Sequence, residues 1–252
     1  MRVKIYGLGW VGRAMRELFL DADICDPELG YRPTEYDNDV AFVCVPTPLK
    51  DGQLDTSIVE SVIEQAKEPL IIVRSTVMPG TCDKFSHKNI VYQPEYLGES
   101  VAHPLTDQVN RKFMILGGSR ENRRKAIELY QTVYNANIRI RQVSNYEAEV
   151  IKITENRAIA FKVAQCQELY DACEKAGIDY NVIREAVFGD DPRFNLWFTF
   201  VYPEKRGFNS KCIPKDVYGW AAWAESIGAD ASLTRGMLAA NERLLEAQKV
   251  RA

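Results

Sequence analysis

Between Arg206 and Val217 the chain reads Arg-Gly-Phe-Asn-Ser-Lys-Cys-Ile-Pro-Lys-Asp-Val. Cys212, at its centre, could attack carbon as a thiolate, and the flanking Lys211 and Lys215 favour that ionised form. Pro214 suits the first turn of a helix, which would bring Asp216 back over the thiol. The same stretch also fits a small apolar filler, because free cysteine is often buried. Upstream, Lys152 and Asn156 lie four apart and share one face of a helix. They fit a solvated helix face. Thr47, Ser75 and Thr76 follow apolar runs that read as strands, so they sit where ligands lie in open α/β folds. Glu95 and Glu99 are also four apart and would share a face if their stretch is helical.

These groups need a frame. Arg2 to Tyr6 alternates like a strand and runs into Gly7-Leu-Gly9-Trp10-Val11-Gly12, after which a helical pattern continues to about Asp21. Strand, glycine motif and helix in that order raise a weak motif to a strong sign of a dinucleotide site, although a glycine-rich structural turn would read the same way. Gly7 permits the tight turn, Gly9 lets a pyrophosphate approach the backbone, and Gly12 lets helix and strand pack closely. The helix N-terminus offers its N–H groups to the phosphates. A short strand over 23–25 ends at Asp26, placed to take the ribose hydroxyls of NAD and to repel the extra phosphate of NADP.

Further strands are expected at 39–45, 70–73, 89–92, 112–116 and 138–143. Helices are expected at 55–67, with Asp55 as N-cap, and at 121–134. No good helix is legible between Pro27 and Asn38. The alternation predicts a doubly wound, largely parallel sheet. After Ser144 the pattern changes. No Gly or Pro interrupts the chain up to Ala176, and apolar residues recur at helical spacing, so one long helix should run to Gly177. Helices at 179–188, 214–227 and 230–248 complete the chain, with an aromatic, irregular loop over 190–205. The expected fold is α/β: a Rossmann-type sheet over 1–143, then an all-helical domain over 144–252.

Composition narrows the function. A formal net charge of -3 gives no attraction to nucleic acid or an anionic membrane. Six scattered cysteines without a CxxC, and only His87 and His103, leave no metal site. The cysteines read as reduced thiols of a cytoplasmic protein. A strand beginning at residue 2 predicts no signal peptide, and no apolar run reaches transmembrane length.

Together, these stretches resemble the UDP-glucose/GDP-mannose dehydrogenase family. The resemblance is carried by the glycine motif, by Val-Cys-Val-Pro-Thr-Pro at 43–48 and by Ser-Thr-Val-Met-Pro-Gly-Thr at 75–81. Pro-Glu-Tyr-Leu-Gly-Glu at 94–99, Ala148-Glu149-Val-Ile-Lys152 with Asn156, and Cys-Ile-Pro-Lys-Asp at 212–216 complete it. It implies an NAD-dependent, four-electron oxidation of a sugar primary alcohol to a carboxylate. Cys212 would then be the nucleophile, Lys152 the oxyanion stabiliser and Asn156 a hydrogen-bond donor to the same oxygen. Asp216 would assist the water step, Glu95 would be the acid–base group, and Thr76 would hold the water. The resemblance also implies NAD contacts from Trp10, Val11, Asp26, Thr47, Thr76, Glu99 and Lys215. Substrate contacts would come from Glu95, Tyr96, Leu97, Lys152, Asn156 and Asn209, and a homodimer would form through the long helix.

The sequence departs from the family in three ways. The family's further C-terminal domain, which grips the nucleotide, has no counterpart in this chain. The segment between Asp26 and Val43 is short. Asn209 and Ser210 replace the paired glycines usual before the cysteine, and 201–205 lacks the usual polar substrate pattern. A two-electron 3-hydroxyacid-type dehydrogenase would share the fold and the Lys-to-Asn spacing without needing Cys212. A non-catalytic NAD-binding subunit would keep only the cofactor.

Overall fold

The structure, a computed structural model, describes residues 1–32, 37–96, 112–134 and 137–249. The chain separates into two compact units, Met1–Lys152 and the residues from Ile153 on.

The first unit opens with β1 (Val3–Tyr6), α1 (Trp10–Leu18) and β2 (Asp23–Cys25). β3 (Val40–Val43), a small hairpin of β4 (Leu49–Lys50) and β5 (Gln53–Leu54), and α2 (Ser57–Gln65) follow. β6 (Leu70–Val73) and β7 (Ile90–Tyr92) complete a five-stranded sheet of order β2-β1-β3-β6-β7, in which every pairing is parallel. β8 (Phe113–Gly117), α3 (Arg120–Tyr130) and β9 (Arg139–Val143) come next, with β8 and β9 forming their own parallel ladder. The chain steps from β1 to β2 and then back across to β3. The crevice at the carboxyl ends of β1 and β3 is therefore the switch point at which such sheets bind ligands.

Alternation along the strands divides the core between the two faces. Val3, Ile5, Val40, Phe42, Leu70 and Ile72 pack with Met15 of α1 and with Leu129 and Tyr130 of α3. Ala41, Val43, Ile71 and Val73 pack on the other face with Val59 and Ile63 of α2. On that second face β1 presents polar residues. Lys4 Nζ meets Glu68 Oε1 at 3.1 Å, and the Tyr6 hydroxyl lies 3.3 Å from both Glu68 oxygens. Between β2 and β3 the described residues form a 3₁₀ turn, Pro27–Leu29, and no α-helix, in line with the short segment noted above.

Two local expectations need correction. Helix α2 begins at Ser57 with Thr56 as its N-cap, and Asp55 instead accepts the Ser57 N–H at 3.0 Å. The β4–β5 hairpin was not expected, yet its Asp51-Gly52 turn takes positive φ at both residues, 51° and 75°, the pattern of a tight hairpin turn.

Helix α4 (Asn145–Ala176) crosses from the first unit into the second and stops where Gly177 was expected to stop it. The Ile178 N–H closes its end on the Cys173 carbonyl at 3.0 Å. In the second unit α5 (Tyr180–Arg184) continues into a π-type turn, Glu185–Asp190, where a single helix was expected. Helices α6 (Ile213–Ser226) and α7 (Ser232–Lys249) follow. Ala160, Phe208, Val217, Met237 and Leu238 form their shared core.

Candidate active site

In the first unit, two of the motif's glycines answer steric demands of the fold itself. Gly7 has φ of +88°, and a Cβ there would stand 2.7 Å from the Cys44 carbonyl oxygen. A Cβ on Gly12 would lie 2.0 Å from the Gly7 oxygen. A Cβ on Gly9 would meet nothing within 4 Å, so the chain itself leaves the space above that residue open. Gly9 is the N-cap of α1 and no side chain caps that helix, which leaves its first N–H groups to a phosphate. Asp26 Oδ2 accepts the Leu8 N–H at 2.7 Å and its Oδ1 accepts from Leu29 at 3.2 Å. The backbone thus fixes this carboxylate beside the glycine turn. Trp10 is exposed and Val11 half-buried at the start of α1, while Thr47 is buried just past β3.

Beyond β6 the loop that carries Thr76 is pinned at both ends. The Ser75 hydroxyl donates to the Val45 carbonyl at 2.7 Å. At the far end Glu149, on the second turn of α4, accepts the Gly80 N–H at 2.5 Å and the Cys82 N–H at 2.9 Å. Burial pushes the Glu149 carboxyl up to about 7, against the pull of those hydrogen bonds. Glu95, just beyond β7, is buried and ion-paired with Arg74, and its Oε1 accepts the Tyr96 N–H at 2.6 Å. Lys152 is buried too, its ammonium 5.7 Å from the centroid of the Tyr96 ring. Leu97 and Glu99 lie outside the described residues.

In the second unit, Cys212 is the N-cap of α6, with Pro214 in the first turn as expected. Its carbonyl accepts the Asp216 N–H at 3.2 Å. The helix end places partial positive charge beside the sulfur, which favours an anion there. Cys212 is half-exposed, whereas Cys25, Cys44, Cys82, Cys166 and Cys173 are all buried. Burial raises the Cys44 thiol to about 12 and holds Cys82 well above its ordinary value, so these two suit the role of filler. Asp216 is fully buried; it accepts from Asn156 Nδ2 at 2.6 Å and pairs with Lys215 Nζ at 3.0 Å. A buried carboxylate with a cation and an amide on it is satisfied and aimed. Arg157, the next residue of α4, stacks on Trp220 at 3.8 Å and donates to Thr234 at 2.7 Å, tying α4 to α6 and α7. Asn209 is exposed.

The first unit thus holds Gly7, Gly9, Gly12, Asp26, Thr47, Thr76, Glu95 and Lys152, and the second brings Asn156 and Asp216 together near the head of the helix that Cys212 caps. Arg74 and Glu149 were not singled out from the sequence. The available signals were a cation closing a buried strand and an acid one turn before Lys152 on the same helix. Among the described residues no group of His, Cys, Asp and Glu could hold a metal ion, and no helix is long and apolar enough to cross a membrane.

A doubly wound sheet with an uncapped, glycine-lined helix start and an acid closing β2 is the arrangement of a dinucleotide-binding domain. Comparison with known sequences gives the family. Residues 30–137 match the NAD binding domain of the UDP-glucose/GDP-mannose dehydrogenase family, and residues 146–243 match its central domain. The chain belongs to that family, and its cofactor is NAD.

Among curated relatives, it is 26% identical over 220 residues to the UDP-glucose 6-dehydrogenase of Rickettsia typhi, covering 81% of this chain and 49% of that protein. It is 34% identical over 187 residues to an uncharacterized protein of Methanocaldococcus jannaschii, covering 67% of this chain and 20% of that one. The chain thus spans about half the length of the UDP-glucose 6-dehydrogenases it matches. A UDP-glucose dehydrogenase from Pyrobaculum islandicum superposes with a TM-score of 0.79 at 22% identity, over 96% of this chain and 68% of that one. A UDP-D-ManNAc dehydrogenase from Pyrococcus horikoshii gives 0.77 at 22% identity, over 97% and 69%. At that identity the two structures speak for the fold.

Proposed function

We propose that this chain carries the catalytic residues of a nucleotide-sugar dehydrogenase that takes a sugar primary alcohol to the uronate through Cys212. The observation that carries the proposal is the contrast among the cysteines. Five are buried, while Cys212 is half-exposed at a helix N-terminus, four residues before the buried Asp216 that accepts from Asn156.

NAD supplies the hydride acceptor for both oxidations. The alcohol loses a proton and a hydride to give the aldehyde. The Cys212 thiolate adds to the aldehyde carbon, forming a thiohemiacetal whose oxyanion Lys152 stabilises and Asn156 holds. Loss of the second hydride leaves a thioester. Water, held by Thr76 and activated by Glu95 with help from Asp216, cleaves it to carboxylate and free thiol. Covalent capture suits this sequence because it tethers an aldehyde that would otherwise escape. Thr47, Val11, Trp10 and Lys215 join Asp26 and the glycines around NAD, with Glu99 from the stretch not described. Tyr96 and Asn209 contact the sugar nucleotide, with Leu97 from the stretch not described.

The assay is NADH production over a panel of UDP- and GDP-sugars. The proposal expects two NADH per substrate, with acid formation lost in Cys212→Ser. One NADH per substrate, unaffected by Cys212→Ser, would establish the two-electron alternative. NAD binding without turnover on any sugar nucleotide would leave a binding subunit. A homodimer through α4 forms part of the proposal. It is supported by the groove between α4 and α7 lined by Phe161, Ala164, Leu233, Gly236 and Met237, and sedimentation would test it. A cytoplasmic location fits the reduced thiols.

A further inference from the structure

Arg74 is among the largest fully buried side chains of the described residues, and no part of the glycine motif or of the cysteine loop calls for it. It closes β6, directly before Ser75 and Thr76. Its side chain has 0% exposure and is paired with Glu95, whose side chain has 8%. The guanidinium is itself held from three elements. Nη1 donates to Gln93 Oε1 at 3.0 Å at the end of β7, lies 2.8 Å from Met15 Sδ of α1, and is 3.5 Å from the Tyr130 hydroxyl of α3. The Tyr130 hydroxyl also donates to Gln93 Oε1, so the amide oxygen locks two donors at once.

A buried ion pair is an inefficient way to add stability. An apolar side chain of similar volume, such as Met, usually packs there as well or better. What the pair does supply is a carboxylate held in one place by a side chain that is itself held on three sides. A base that must take a proton from water needs that fixity.

We propose that Arg74 is the positioning residue for Glu95. Clamped between both helices of one sheet face and the end of β7, it holds the Glu95 carboxylate in one place just past β7. This rests on the reading above in which Glu95 activates the water that cleaves the thioester.

The test follows acid formation from the sugar-nucleotide aldehyde in the wild type, Arg74→Lys and Arg74→Met, with NAD affinity as the check on folding. In Arg74→Met kcat should fall about tenfold while KM for the aldehyde and NAD affinity hold, as for a base that has lost its orientation. Arg74→Lys should recover most of kcat. An Arg74→Met variant that binds NAD and keeps the wild-type kcat overturns the proposal and makes the pair structural. If Arg74→Met does not fold, Arg74→Gln takes its place with the same two outcomes. Absence of turnover on every sugar nucleotide would instead defeat the dehydrogenase reading, and Arg74's catalytic purpose with it.

Discussion

Replacing Glu149 with Gln should change how stability depends on pH more than it changes stability at any one pH. Glu149 is fully buried, with its oxygens on the N–H groups of Gly80 and Cys82. Burial raises its carboxyl from 4.5 to about 7. Between those values the folded chain keeps a proton that the unfolded chain has released, so protons stabilise the fold. The contribution is therefore whole below pH 4.5 and is lost as pH rises through about 7. At about 1.4 kcal/mol per pH unit this amounts to about 3 kcal/mol. Cys82 stays a thiol throughout, because burial and Glu149 hold its ionisation well above that window.

Gln keeps the shape and removes the titration, at the cost of setting an amide NH₂ against one backbone N–H. Urea unfolding followed by circular dichroism at pH 4.5, 5.5, 6.5 and 7.5 gives the stability difference between wild type and Glu149→Gln. The wild type should lose about 3 kcal/mol relative to the variant across that range. A difference that stays constant to within about 0.5 kcal/mol would refute the reasoning, because the carboxyl would then titrate alike in the folded and unfolded chains.

Gly9→Ala and Gly12→Ala should part company. A Cβ on Gly9 meets no protein atom within 4 Å, so its melting temperature should hold while NAD affinity falls about tenfold or more, as the added methyl meets the pyrophosphate. A Cβ on Gly12 would sit 2.0 Å from the Gly7 oxygen, so calorimetry should find that variant unfolded or strongly destabilised. Brief alkylation near neutral pH, read by peptide mass spectrometry, should label Cys212 first and leave Cys44 and Cys82 unmodified until the chain is denatured. Fast labelling of Cys44 or Cys82 would contradict their burial.

Several features of this chain are local, and their sequence signals suffice. The glycine turn is one: its three residues answer to steric demands within a few positions of each other, and Gly7 and Gly12 almost touch. Helix α4 is another. Uninterrupted helical spacing starts it and Gly177 ends it, so its limits were legible residue by residue. The Asp51-Gly52 hairpin was equally legible and was missed because the strands it joins are only two residues long.

Partnership across the chain was settled only by the fold. Lys4 meets Glu68, Arg74 meets Glu95, Glu149 meets Gly80 and Cys82, and Asn156 meets Asp216 sixty residues on. Spacing cannot indicate such pairs, because each depends on where the sheet order and the helix packing bring distant segments together. From the residue types alone, these charges read as ordinary surface. Burial is what makes them structural and chemical facts, because a charge removed from water must be met by a partner, and only the folded chain shows which partner it has.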